Sequence, residues 1–138
     1  MGRWHAAAAG RSDGTVVAVV DRELASAVAL GVGAAYVDLE TALAAHEVDI
    51  VHVFTPIDAH AEVVRVALAA GAHVIVEKPL ARDASTTDEL LRLADDAGRS
   101  LVPVHQFLFQ GGFQRLLARQ DRLGALVDVR LRHRNRRG

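Results

Sequence analysis

The strongest constraint in this sequence is a rhythm. Short β-branched apolar runs recur, each followed by a longer segment with helical periodicity. Val16-Val17-Ala18-Val19-Val20, Asp49-Ile50-Val51-His52-Val53-Phe54, His73-Val74-Ile75-Val76 and Leu101-Val102-Pro103-Val104 have the length and residue types of strands. Ala34 to Val37 is a shorter candidate. Between them, Glu23–Leu30 and Leu39–His46 read as helices. A third helix runs from a cap at Asp58 through Val63, Val64, Ala67 and Leu68 to Gly71. A fourth starts at Thr86-x-x-Glu89, a capping box, and runs through Leu90, Leu91, Leu93 and Ala94 to Gly98. Strands joined through helices need crossover connections, which are right-handed and make the strands parallel. Near-continuous apolar strands predict helices over both faces of the sheet. The expected fold is therefore α/β, a doubly wound parallel sheet.

After residue 105 the texture changes. Residues 107–122 are weakly helical, with an interruption expected at Gly111-Gly112. Residues 125–133 alternate as a strand does, with Val127, Val129 and Leu131 on one face and Arg130, Arg132, Arg134 and Arg136 on the other. A solvated strand face accounts for these arginines better than a nucleic-acid patch, because no aromatics are interleaved and the rest of the chain is net acidic.

Composition narrows the class. The 138 residues are enough for one domain with its own core, and 51% hydrophobic residues are too many for intrinsic disorder. No apolar run approaches the roughly 18 residues of a membrane span. Sixteen basic against seventeen acidic residues give a net charge of -1, so no global field points to nucleic acid. With no cysteine, disulfide scaffolds, thiolate metal sites and cysteine nucleophiles are excluded. Seven histidines lack metal-ligand spacing, so no metal is expected. Four alanines at residues 6–9 are too few for a signal peptide, and a cytoplasmic location is the expectation.

In a parallel sheet, whatever follows each strand lies along one edge, where doubly wound folds bind ligands. Here that edge would collect Asp21, Thr55-Pro56, Glu77-Lys78-Pro79 and His105-Gln106. Asp21 closes a strand where a carboxylate can accept both hydroxyls of an adenosine ribose. About twenty residues earlier stands Gly2, placed to be the last glycine of a G-x-G-x-x-G turn. Lys78 is the chain's one lysine among sixteen basic residues. Where any cation would serve, this sequence uses arginine, so a lone lysine points to a site needing a compact, titratable ammonium.

These pieces converge on a resemblance. Met1-Gly2-x-x-His5, VVAVVD ending at Asp21, TPIDAH from Thr55 to His60, AGAHVIVEKPL from Ala70 to Leu80 and LGALVDVRL from Leu123 to Leu131 resemble the Gfo/Idh/MocA oxidoreductases, in order and spacing, over essentially the whole chain. The resemblance implies a Rossmann NAD(P)-binding domain and hydride transfer to or from a sugar, polyol or related hydroxy compound, with NAD or NADP as cofactor. Gly2 would approach the pyrophosphate and Asp21 the adenosine ribose, while Arg22 would suit a 2′-phosphate. Thr55 and Pro56 would line the cofactor's path, with His60 beside the cleft and Glu77 by the nicotinamide ribose. Lys78 would be the catalytic group, held next to a cis bond to Pro79, and Gln106 would face the cleft.

The resemblance also implies what is missing. Residues 1–106 would be a partial NAD(P)-binding domain lacking its first strand. Residues 107–138 would be a connecting helix and the first strand of a truncated C-terminal α/β substrate domain. VHQFLFQGGF departs from the common Asn-x-Arg-Phe pattern, and no residue matches the second domain's proton-transfer group. A catalytically inactive N-terminal fragment is the first expectation, with a second copy of the chain, as a homo-oligomer, a candidate partner. A non-catalytic dinucleotide-binding or subunit-interaction module is the alternative. In the order 3-2-1-4-5-6 the absent strand is central, so two edges would lack a neighbour and the product would be marginally stable.

Overall fold

The structure is a computed structural model that describes residues 2–11 and 13–122. Among the described residues, those up to Val104 form one compact unit and those from His105 onward another. The strand expected at 125–133 and its arginine face lie outside the described residues.

In the first unit, α1 (Gly2–Ala9) precedes β1 (Ala18–Val20), α2 (Leu24–Val28), β2 (Ala34–Tyr36) and α3 (Leu39–Ala45). Then come β3 (Ile50–Val53), α4 (Ile57–Ala69), β4 (His73–Val76), α5 (Ala84–Asp96) and β5 (Leu101–Pro103). All pairings are parallel, as the alternation predicts. Ala18 pairs with Ala34 and Val20 with Tyr36, while Ile50 pairs with His73, and Val74 with Leu101.

The strands do not form one sheet. β1 and β2 make a two-stranded sheet, and β3, β4 and β5 make a three-stranded one in that order. Laid against the doubly wound order 3-2-1-4-5-6, these are strands 3-2 and 4-5-6 with the central position open. The register identifies the open edges. Ala34 N–H bonds to the Val17 carbonyl and Asp21 N–H to the Tyr36 carbonyl, so Val17, Val19 and Asp21 face β2. Ala18 and Val20 therefore direct their N–H and C=O groups away from it. On β3, Asp49 and Val53 carbonyls accept from His73 and Glu77, which leaves Ile50 and His52 facing away from β4. Helix α3 packs on β1, on β2 and on α4.

Burial is uneven between the two sheets. Val53, Val64, Ala67, Leu68, Val74, Val76, Leu80, Leu90 and Ala94 form one core between α4, α5 and the three-stranded sheet. Beside β1 and β2, by contrast, the buried hydrophobic residues are Ala27 and Ala42, and Leu24, Val28 and Val37 are exposed. Coverage of both sheet faces was expected, yet Val102 is 49% exposed and Ile50 48%. Helices α4 and α5 both pack on the face carrying Val53, Val74 and Val76, and Ile50 and Val102 lie on the opposite face, which these two helices leave uncovered.

Two helices start at residues other than those their local patterns predict. Asp58 does not cap α4. Pro56 holds that position, and Asp58 sits in the first turn paired with Arg82. Helix α5 starts at Ala84 rather than at the Thr86 box: Asp83 is the cap and accepts from Thr86 N–H at 2.8 Å. Glu89, freed from capping, takes a two-pronged bond from Arg65 at 2.8 and 2.9 Å. Gly33 has φ +64°, and a Cβ there would meet the β1 backbone at 2.9 Å, so only glycine allows β2 to begin so close to β1.

In the second unit, a 3-10 turn at Gln106–Phe109 leads into α6 (Gly111–Leu117) and a further 3-10 turn at Gln120–Arg122. Gly111 and Gly112 open α6 instead of interrupting a longer helix.

Candidate cofactor and active site

Because β3 and β4 run parallel, the turns that follow them share one edge. Thr55 and Pro56 follow β3, and Glu77, Lys78 and Pro79 follow β4. Glu77 still belongs to the ladder through its N–H, which bonds to the Val53 carbonyl at 3.0 Å. Lys78 then leaves the sheet through a cis bond to Pro79 and is solvent-exposed. Its own N–H lies 3.3 Å from Glu77 Oε2.

His60, in the first turns of α4, joins the two turns. Its ring is 2% exposed. Nε2 lies 2.9 Å from the Thr55 carbonyl and Nδ1 3.0 Å from the Pro79 carbonyl. Both ring nitrogens are thus directed at backbone oxygens and not at a ligand.

Helix α1 reaches the same edge through His5. That ring packs on Phe54 with centroids 3.9 Å apart, and its Nε2 lies 3.8 Å from Glu77 Oε1. His52 stands 6.2 Å from His5, ring to ring. Partial desolvation, and then the neighbouring His5, hold His52 below the ordinary imidazole value. No sequence motif groups His5, His52, Phe54 and Glu77. The alternation of β3 puts His52 on the face opposite Val53, which was the available signal.

Asp21 follows β1. Its N–H bonds to the Tyr36 carbonyl, its Oδ1 accepts from Glu23 N–H at 2.9 Å, and its side chain and that of Arg22 are exposed. Gly2 is the first residue of α1, whose first turn carries no acidic residue. Gln106 begins the 3-10 turn of the second unit. The structure therefore joins Thr55, Pro56, His60, Glu77, Lys78 and Pro79 through direct contacts or chain continuity. Asp21 and Arg22 stand on the other sheet. Two open grooves, of about 520 and 430 Å³, are lined by none of these residues. Among the described residues there is no cluster of metal-ligating side chains, and no helix long and apolar enough to cross a membrane.

Known proteins resemble this chain in sequence and in fold. The chain is 36% identical over 126 residues to D-xylose 1-dehydrogenase (NADP(+)) 2 of Haloferax volcanii, an alignment covering 88% of this chain and 38% of that protein. It is 35% identical over 125 residues to dTDP-3,4-didehydro-2,6-dideoxy-alpha-D-glucose 3-reductase of Streptomyces violaceoruber, covering 90% and 36%. The structure of an NAD binding oxidoreductase from Klebsiella pneumoniae superimposes with a TM-score of 0.78 at 28% identity, covering 88% of this chain and 36% of that one. The chain thus spans well under half the length of each. A sequence model of the oxidoreductase family with an NAD-binding Rossmann fold, the Gfo/Idh/MocA family, matches residues 1–105. On that match, the chain belongs to the Gfo/Idh/MocA oxidoreductases.

Proposed function

We propose that this chain is the nicotinamide-dinucleotide-binding part of a Gfo/Idh/MocA-type oxidoreductase that acts on a sugar, polyol or related hydroxy compound. The observation that carries the reading is the joining of Thr55-Pro56 to Glu77-Lys78-Pro79 along one parallel-sheet edge. Residues 1–106 supply the cofactor side, and residues 107–138 lead toward a substrate domain.

The residues fit the cofactor. Helix α1 has eight residues, begins at a glycine and carries no acidic side chain in its first turn, which suits a pyrophosphate at its N-terminus. Asp21 offers an exposed carboxylate at a strand end for the ribose hydroxyls. Arg22 beside it suits a 2′-phosphate, and both cofactors occur among the relatives' names. The bound nicotinamide supplies hydride transfer. Lys78 donates a hydrogen bond to the substrate oxygen and stabilises its alkoxide character. Glu77 holds the Lys78 backbone and lies beside His5, while Thr55, Pro56 and Pro79 shape the wall.

In this reading the 138-residue chain binds dinucleotide but does not turn over alone, because none of its residues matches the family's second-domain proton-transfer group. Calorimetric titration tests it. The chain should bind NAD or NADP, Asp21→Ala should weaken NAD, and Arg22→Ala should weaken NADP selectively. Absence of binding of either cofactor at millimolar concentration would refute the reading.

A further inference from the structure

Helix α1 has eight residues, and none of them is buried. On the α2 side it borders an open groove of about 520 Å³, between Arg3, Ala6 and Ala7 and the pair Leu30 and Val32, so packing there is loose. On the sheet side it presents His5, whose ring lies over Phe54 with centroids 3.9 Å apart and planes inclined by 31°. His52 meets both rings edge-on, 6.2 Å from His5 and 5.9 Å from Phe54, so the three rings form one cluster. Stacked and edge-to-face pairs are the favoured arrangements of aromatic rings. The contact makes no demand on the charge of His5. A neutral imidazole packs on the Phe54 face, and a protonated one is attracted to the same face. Glu77 Oε1, 3.8 Å from His5 Nε2, is beyond hydrogen-bond reach, so the stack and not the carboxylate holds the ring.

We propose that His5 is a positioning residue that, by stacking on Phe54, seats α1 on the sheet face that α4 and α5 leave uncovered and fixes its N-terminus relative to the turns carrying Thr55 and Lys78. Phe54 precedes Thr55 and Glu77 precedes Lys78, so the ring rests at the root of both turns. The consequence for binding rests on the functional reading, in which the N-terminus of α1 receives the pyrophosphate. The seat itself rests on the geometry. A helix with no buried residue leaves its seat readily once a main contact is lost. Affinity then falls with the fraction of molecules in which the helix is seated.

Nitrogen-15 relaxation and calorimetric titration of the full chain test the proposal. In His5→Ala, backbone order parameters of residues 3–8 should fall from about 0.85 toward about 0.6, while those of residues 73–76 stay in place. Binding of NAD or NADP should weaken about three- to tenfold, the worth of one aromatic pair. His5→Phe keeps a ring over Phe54 but offers Glu77 no nitrogen, and it should restore both rigidity and binding. A rigid α1 in His5→Ala overturns the proposal, as does a His5→Phe chain as loose as His5→Ala. Unchanged affinity alongside a loosened α1 overturns the positioning role. If the His5 variants fail to fold, Phe54→Leu removes the other ring and must loosen residues 3–8, and a rigid α1 there overturns the proposal. If the unsubstituted chain binds neither dinucleotide, the functional reading falls, while the order parameters still decide how α1 is seated.

Discussion

Supplying one parallel strand between β1 and β3 should raise the stability of this chain sharply. The perturbation is an N-terminal extension: five β-branched apolar residues and a glycine-rich turn ahead of Gly2. Ala18, Val20, Ile50 and His52 each turn one N–H and one C=O toward that position. Bonds to these groups contribute about 0.5–1.5 kcal/mol each. Ordering five residues costs about 1–2 kcal/mol apiece, so the two effects nearly offset. The net gain then comes from apolar burial, about 1.5–3 kcal/mol for each fully enclosed Val or Ile. Two such side chains already give about 3 kcal/mol or more, a rise in Tm of at least about 10 °C for a domain of this size. Differential scanning calorimetry of the plain chain and the extended chain measures it, with an extension of alternating Lys and Pro as the control. A plain chain that purifies as a monomer, melts cooperatively and gains nothing from the extension would refute the reasoning.

Further predictions address single sites. Leu90→Ala should cost about 2–5 kcal/mol in denaturant unfolding, because Leu90 is fully enclosed, whereas Leu24→Ala, at 48% exposure, should change stability little. Gly33→Ala should destabilise by more than about 1 kcal/mol, since the new Cβ meets the β1 backbone and φ is positive. Removing the cap with Asp83→Ala should lower Tm, and Asp83→Asn should retain most of it. His52 has a lowered value in the folded chain, so the unfolded chain binds the proton first as pH falls. Stability is then fully present above about pH 6.5 and declines below it, and His52→Gln should flatten that part of a Tm-against-pH curve.

Much of the fold was legible in the sequence because alternation of strand and helix is a local signal. The parallel pairings and the edge carrying Thr55-Pro56 and Glu77-Lys78-Pro79 follow directly from it. The strands came out shorter than their apolar runs at β1, where Val16 and Val17 precede a strand paired on one side only. The cap of α5 was misread because Thr86-x-x-Glu89 satisfies the capping pattern, yet Asp83 three residues earlier captures the Thr86 N–H first. Glu89 answers to Arg65 on another helix, a partner no local pattern contains. The same limit hid His60. Its residue type suggests a cleft, and only the folded chain shows that two distant carbonyls enclose it.

The uneven burial of the two sheets has a dynamic consequence. Amide exchange should divide into two regimes: β3, β4 and β5 exchange by global unfolding, whereas β1 and β2, supported by Ala27 and Ala42, exchange through cheaper sub-global opening. Asp21, which meets the adenosine ribose in the proposed function, rides on the half that opens. Apparent dinucleotide affinity is then the intrinsic affinity multiplied by the fraction of molecules in which that half is closed. Ligand would in turn slow exchange most at β1 and β2, on the sheet that does not carry Lys78.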